Sequence, residues 1–344
     1  MFSIERIHSM PAQCALVALS FALFMLCLYK PIMQFSPLDS SPQITPYTQA
    51  QINPAATPVR TGMRITDFLK FDAIKNEYVV NAIVWFVYNP QKISTEKVGL
   101  FSFTKGEIIK KSDPTITLVD NGLTMAQYHI RVQFSSIPNY ARFPLDDHYV
   151  YLNLTNTSVD PRTVLFTADQ ADYSVSHNVY TPGWRMVEHT VRSGYATEQL
   201  TAHHTIQQPK ISFSMGLSKQ DYRQLLLIIL PLLLIFYCGI FAFSIKDPSL
   251  AMTVILASIA GLIAYSFVIQ TLSPVVGYLM LSDHLFLLFL GAIFSIFFII
   301  MLDATPEHIV SKKTVQTIKG WAILAIYAVL ILAWYYVTNI KYLA

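Results

Sequence analysis

Charge is what this sequence has least of. Lys, Arg, Asp and Glu make up 13% of its 344 residues, hydrophobic types make up 53%, and the mean hydropathy is +0.43. Soluble domains carry about 25% charged residues, so a purely soluble protein does not describe the whole chain. Cysteine is nearly missing as well. Cys14, Cys27 and Cys238 all fall inside hydrophobic runs, which leaves the polar part of the chain without a disulfide staple or a thiolate metal site. The net charge of +3 argues for no nucleic-acid partner. No nucleophile elbow, HExxH pair, phosphate-binding glycine loop or dinucleotide fingerprint occurs, so neither an enzyme nor a cofactor is implied. The adjacent acids Asp146 and Asp147 supply no acid/base geometry by adjacency alone. Asn153 and Asn156 open N-x-[ST] sequons that read as chance occurrences.

What the sequence does contain is apolar length. From Leu225 onward come LLLIILPLLLIFYCGIFAF, LAMTVILASIAGLIAYSFVIQTL, HLFLLFLGAIFSIFFIIML and WAILAIYAVLILAWYYV. Each is long enough to cross the roughly 30 Å hydrocarbon core as a helix. A fifth run, Ala12 to Tyr29, lies between Arg6 and Lys30. It reads as a signal peptide or a retained signal-anchor, and the lack of a small-x-small cleavage pattern after it favours retention. Lys246 lies between the first and second C-terminal runs, and Lys312, Lys313 and Lys319 lie between the third and fourth. The positive-inside rule makes both loops cytoplasmic and puts the region up to about residue 218 outside. A retained anchor then gives five spans, with the C-terminal TNIKYLA external.

Between the apolar regions the chain reads as β structure. Residues 31–60 are rich in Pro, Ser, Thr and Gln, lack periodicity and read as a flexible tether. Seven strand-like runs follow: MRITDFLKFDAI, EYVVNAIVWFVY, LTMAQYHIRVQF, HYVYLNL, TVLFTA, GWRMVEHTVRS and KISFSMGL. Such spacing predicts an antiparallel sandwich. The expected organisation is therefore an N-terminal membrane segment over 1–30, the tether over 31–60, an external β-sandwich over 61–221 and a four-helix transmembrane bundle over 222–344.

That order, with its motifs, resembles the pentameric ligand-gated ion channels, the Cys-loop receptor superfamily, in its cysteine-free prokaryotic form. YARFPLDDHYVYLNL is similar to the family's FPFD corner, with Leu145 for the second Phe. TPGWRMVEHTV resembles its tryptophan-containing strand, and ISFSMGLSKQDYRQLLLIILPLLLI its last strand running into the first membrane helix with Pro231. VILASIAGLIAYSFVIQTLSPVVGYLMLSDHLF resembles its second helix, the terminating Pro274 and the aspartate that opens the third. The resemblance covers about residues 60 to 340. Two departures stand out: the N-terminal membrane segment, and a short span between Trp85 and Phe143 that omits the family's Trp-x-Pro binding-loop motif.

The resemblance implies a homopentamer in the inner membrane, sandwich on the periplasmic or extracellular side, gated by a small ligand or protons and passing ions. The alternative is a non-conducting sensory receptor using the same sandwich. Pro144 disfavours helix at Phe143, and without the family the simplest account of this corner is a hairpin loop whose aspartate caps amides. The family instead implies coupling residues: Phe143, Pro144, Asp146, its basic partner Lys219, and Pro274. Lys at 219 replaces the usual Arg and loses the bidentate fork. In the second helix, spacing and the family both place Thr253, Ala257, Ala260, Ala264, Phe267, Val268 and Thr271 on one stripe, which the family assigns to the pore. Small residues at this spacing also serve close helix packing. Ligand-binding candidates at the subunit interface are Tyr128, Arg131 and Tyr195, though for each a plain exposed strand residue is the simpler reading. His203 and His204 are poor joint metal ligands, because successive strand side chains point to opposite faces.

Overall fold

A computed structural model describes residues 10–47, 56–72, 75–136, 138–160, 163–177, 179, 181, 183–201, 204–220, 222–305 and 311–339. The chain forms two compact units that are not consecutive in sequence. A helical unit takes Met1–Ser36, Tyr140–Asp146 and Asp221–Ala344, and a sheet unit takes Pro37–Asn139 and Asp147–Gln220. The chain therefore passes between them at 36/37, 139/140, 146/147 and 220/221.

The helical unit holds α1 (Met10–Met33), α3 (Tyr222–Phe241), α4 (Pro248–Leu272), α5 (Leu281–Asp303) and α6 (Lys312–Asn339), while the short α2 (Thr95–Gly99) lies in the sheet unit. Among the described residues, five helices are long and apolar enough to cross a membrane, the first being Met10–Tyr29. Together they make this a multi-pass membrane protein. The start of α4 is set by Asp247, whose carboxylate accepts the Ser249 amide at 3.0 Å, with Pro248 in the first turn. Its end is set by Ser273–Pro274, where proline cannot continue the ladder. Phe236 of α3 stacks on Phe289 of α5 with ring centroids 4.7 Å apart. α1 is part of the same packing, since the Ser20 and Tyr237 hydroxyls lie 2.9 Å apart. The calls on 306–310 and on the C-terminal 340–344 lie outside the described residues.

The sheet unit contains β1 (Thr45–Pro46), β2 (Thr57–Asp72), β3 (Glu77–Tyr88), β4 (Ser102–Phe103), β5 (Gly106–Lys111) and β6 (Thr115–Val119). These are followed by β7 (Leu123–Ser135), β8 (Asp147–Thr155), β9 (Val164–Thr167), β10 (Tyr173–Val175), β11 (Trp184–Thr201) and β12 (His204–Lys219). Alternation is clear in β3, where every second residue from Tyr78 to Tyr88 is buried. Two features depart from an antiparallel sandwich. The strands form one continuous ladder in the order β1-β11-β12-β8-β4-β5-β7-β3-β2-β10. In addition, β9 and β10 both pair with β2 in parallel. The reason is connection length: β2 is followed in sequence by β3, but β9 and β10 return to its free edge from across the fold, a route no hairpin dictates. The two flanks of the ladder still face each other. Phe71 of β2 meets Trp184 of β11 at 5.1 Å, and Tyr173 of β10 meets Phe213 of β12 at 5.2 Å, around one shared apolar core.

The stretch expected to be a tether has irregular backbone but definite partners. Thr45 and Pro46 pair with Tyr195 and Gly194 of β11, and the Tyr47 hydroxyl donates to the Phe166 carbonyl at 2.8 Å. Its middle, residues 48–55, lies outside the described residues.

Candidate functional site

The Phe-Pro corner belongs to the helical unit, and its backbone is what it offers. A tight turn is closed by the Phe143 amide donating to Tyr140 O at 2.9 Å and the Leu145 amide to Arg142 O at 2.7 Å. Turn geometry leaves other carbonyls pointing outward. Ala141 O accepts the Leu281 amide at 2.9 Å and Phe143 O accepts the Ser282 amide at 3.2 Å. Those two amides open α5 and have no partner within it, because the first four N–H groups of a helix never do. The corner thus caps the helix that follows the Pro274 loop. Asp283 completes the cap by accepting the Met280 amide at 2.8 Å, and the Tyr278 hydroxyl accepts the Tyr140 amide at 2.8 Å. Tyr140 and Phe143 are fully buried, as are Pro144 and Asp146. Arg142, also buried, donates from Nη1 to Ser36 Oγ at 3.0 Å and to Ser36 O at 3.3 Å.

In the sheet unit a second polar cluster gathers where the chain leaves for the corner and returns. Asp39 accepts the Asn139 amide at 2.7 Å and the Tyr149 amide at 2.8 Å, and its Oδ2 lies 3.2 Å from His148 Nδ1. Asp147 Oδ1 accepts the Lys219 amide at 3.2 Å. Two acids therefore tie together the sheet-unit ends of all four passages: residues near 37 and 139, the start of β8, and the end of β12. Behind them His148 packs on Trp184 at 5.3 Å, with the Lys219 ammonium 5.4 Å from the same ring.

The stripe on α4 is bare in the single chain. Thr253, Ala257, Ala260, Ala264, Phe267, Val268 and Thr271 are all exposed, whereas Ile255, Ser258, Leu262 and Ile269 face the other helices and are buried. The exposed faces of α3 and α5 carry bulky groups such as Leu226, Leu234, Phe294 and Phe298. The stripe on α4 holds three alanines and two threonines beside Phe267 and Val268, and Leu256 and Ile263 are exposed on the same helix. Pro274 is buried in the loop that follows.

The ligand-binding candidates are not brought together. Tyr128 is not an exposed strand residue: it is 3% exposed in the core, on the same face of β7 as Ala126 and Ile130. Arg131, of opposite parity, lies on the outer face and donates from Nε to Asn81 Oδ1 at 2.9 Å. That parity difference is visible in the sequence. Tyr195 is covered too, because β1 pairs over it and the Tyr47 ring meets it edge-on at 4.8 Å. Burial raises the Tyr195 phenol above its usual range. His203 lies outside the described residues.

Sequence reasoning passed over Asp39, Arg142, His148 and Tyr278. One signal was available for the first: between Lys30 and Arg60, Asp39 is the sole charged residue. The others carry none.

No protein-family model matches this sequence. The chain is 20% identical over 244 residues to a proton-gated ion channel from Gloeobacter violaceus. The alignment covers 70% of this chain, which spans 63% of that relative's length. This similarity supports the resemblance carried by the corner and helix motifs.

Proposed function

We propose that this chain is the subunit of a ligand- or proton-gated pentameric ion channel, with α4 lining the pore and the corner at 140–146 as its coupling loop. The observation that carries the reading is the one-sided burial of α4. A stripe holding Thr253, Ala257, Ala260, Ala264 and Thr271, left bare together with Phe267 and Val268 while Ile255, Ser258, Leu262 and Ile269 are packed, suits rotation-related copies around an axis. In that arrangement the ring from Ala257 to Val268 is uncharged and resists water when closed, by dewetting. Thr253 is then the inner polar constriction. Lys246 and Asp247 stand beside the inner mouth in this reading and nearly cancel in charge.

Coupling follows from connectivity. Movement of β8 is transmitted covalently through 146/147 to the corner, whose carbonyls hold the first turn of α5. Because α5 is joined to α4 by the Pro274 loop, displacing the cap biases α4 between two arrangements. Asp146 and Lys219 belong to this proposal as a coupling pair. The relative's proton gating makes a proton the first ligand to test; Tyr128 and Tyr195, covered in the single chain, are less suited to a small organic ligand.

The test is cysteine scanning of α4 after replacing Cys14, Cys27 and Cys238. Cysteines at 257, 260, 264 and 268 should react with a charged thiol reagent and block current in a state-dependent way, and those at 255, 259 and 262 should react little. Equal labelling of both faces, or no current at any pH in a planar bilayer, would favour the non-conducting receptor.

A further inference from the structure

We propose that Asp39 and His148 form a proton-binding latch that fastens the segment after α1 to the start of β8. The proposal rests on the channel reading only for its consequence on gating. Its foundation is the burial and partnering of this pair.

The His148 side chain is fully buried and that of Asp39 is 8% exposed, so their 3.2 Å contact is shielded from water. Asp39 is also the acceptor for the amides of Asn139 and Tyr149. A single carboxylate therefore holds three chain passages at once, and whatever changes its charge or its grip acts on all three. The group beside it is an imidazole, the side chain whose unperturbed charge change falls between pH 5 and 8. With a neutral imidazole, Nδ1–H donates to the carboxylate, a bond assisted by one charge. With an imidazolium both partners are charged, and the same contact gains the Coulomb attraction of an ion pair shielded from water.

The other groups around the pair set the sign. On β8 itself stand Asp147, which accepts the Lys219 amide, and Tyr149, whose hydroxyl donates to Glu188. From β11 comes the Trp184 ring against the imidazole, with the Lys219 ammonium from β12 beyond it. The register partner of His148 on β12 is the uncharged Leu217. Tyr151 senses Asp39 directly: its phenol is pushed up to about 12, first by burial and then by the negative charge of Asp39, with Arg192 opposing. Of these charged groups, the Asp39 carboxylate is the one at hydrogen-bond distance from the imidazole, 3.2 Å from Nδ1, while the Lys219 ammonium lies 5.4 Å from the Trp184 ring. The strengthened latch exists only while the imidazole is protonated and the carboxylate ionised. It is lost as pH rises and the imidazole gives up its proton.

The latch would let a proton tighten the chain passages from which the 140–146 corner departs and to which it returns.

The experiment uses the full-length purified protein in detergent and reads two kinds of hydrogen exchange by mass spectrometry between pH 8 and pH 5. Exchange at imidazole Cε1 reports the protonation of His148, and backbone exchange over residues 37–47, corrected for intrinsic rate, reports the grip on the segment. In the wild type the imidazole should titrate within this range, and backbone exchange should slow by about fivefold over the same interval. Asp39→Asn should lower the His148 midpoint by about one pH unit or more, and His148→Gln should abolish the pH dependence of the 37–47 segment. An imidazole that stays neutral throughout in the wild type, or a segment that tightens equally in His148→Gln, overturns the latch. Neither readout needs current, so a protein that conducts nothing can still pass this test, and a conducting one can still fail it.

Discussion

Replacing Gly194 by alanine should detach the segment after α1 from the sheet without unfolding the sheet. A Cβ at this position would lie 2.2 Å from the Thr45 carbonyl oxygen, 2.6 Å from Ile44 Cγ2 and 2.9 Å from the Thr45 carbonyl carbon. Two of those atoms are backbone, so a rotamer change cannot relieve the clash. The Thr45 carbonyl has to withdraw by about 1 Å, which is enough to break hydrogen bonds of ordinary length. Strand β11 will not yield, because it is paired with β12 along nearly its whole length. β1 has two residues, and what it loses bounds the cost: one edge-to-face ring pair at about 0.5–1.5 kcal/mol, and the Tyr47 hydroxyl bond and a ladder bond at about 0.5–1.5 kcal/mol each. The sum is roughly 1.5–4.5 kcal/mol of docking energy. Release is therefore the cheap outcome and global unfolding the expensive one. Backbone hydrogen exchange should rise in residues 44–47 and stay unchanged in β12. Burial raises the phenols of Tyr47 and Tyr195, and in Tyr47 the neighbouring Tyr195 adds to it. Docking is thus at full strength below the ordinary phenol range and weakens as pH rises through the alkaline range. In Gly194→Ala both phenols should ionise at lower pH than in the wild type. Undiminished protection at 44–47, with both phenols still raised, would refute the close approach on which the reasoning rests.

Three further outcomes follow from the same structure. Gly62→Ala places a Cβ 2.0 Å from the Trp85 ring and 2.7 Å from the Asp172 carbonyl oxygen, so the denaturation midpoint should fall by the equivalent of about 1–3 kcal/mol; an unmoved midpoint contradicts the packing. Asp146→Asn and Lys219→Ala should each shift the activation curve, with a non-additive double mutant, whereas simple additivity in a full cycle would remove the pair from the coupling path. Reporter fusions at Ser311 and Ala344 should lie on opposite sides of the membrane and a fusion at Met1 on the Ser311 side; reporters at 311 and 344 on the same side would sink the topology.

Composition and period alone determined the broad plan of this protein. Four long apolar runs and a fifth near the N-terminus need only length and hydropathy, and all five appear as helices. The alternation in EYVVNAIVWFVY likewise announced a half-buried strand, because side-chain direction in a strand is local. What the tertiary structure decided was every partnership between residues far apart in the chain. The parallel pairing of β9 and β10 with β2 has no periodic signature, so a row of strand-like runs was read as purely antiparallel. Asp39 meets His148 across 109 residues, and a lone acid in a proline-rich stretch looked like part of a tether. The Phe-Pro corner was visible as a motif, yet its chemistry lies in two carbonyls that cap a helix starting at Leu281. Main-chain groups are the same in every residue, so only the fold could say which amides they meet.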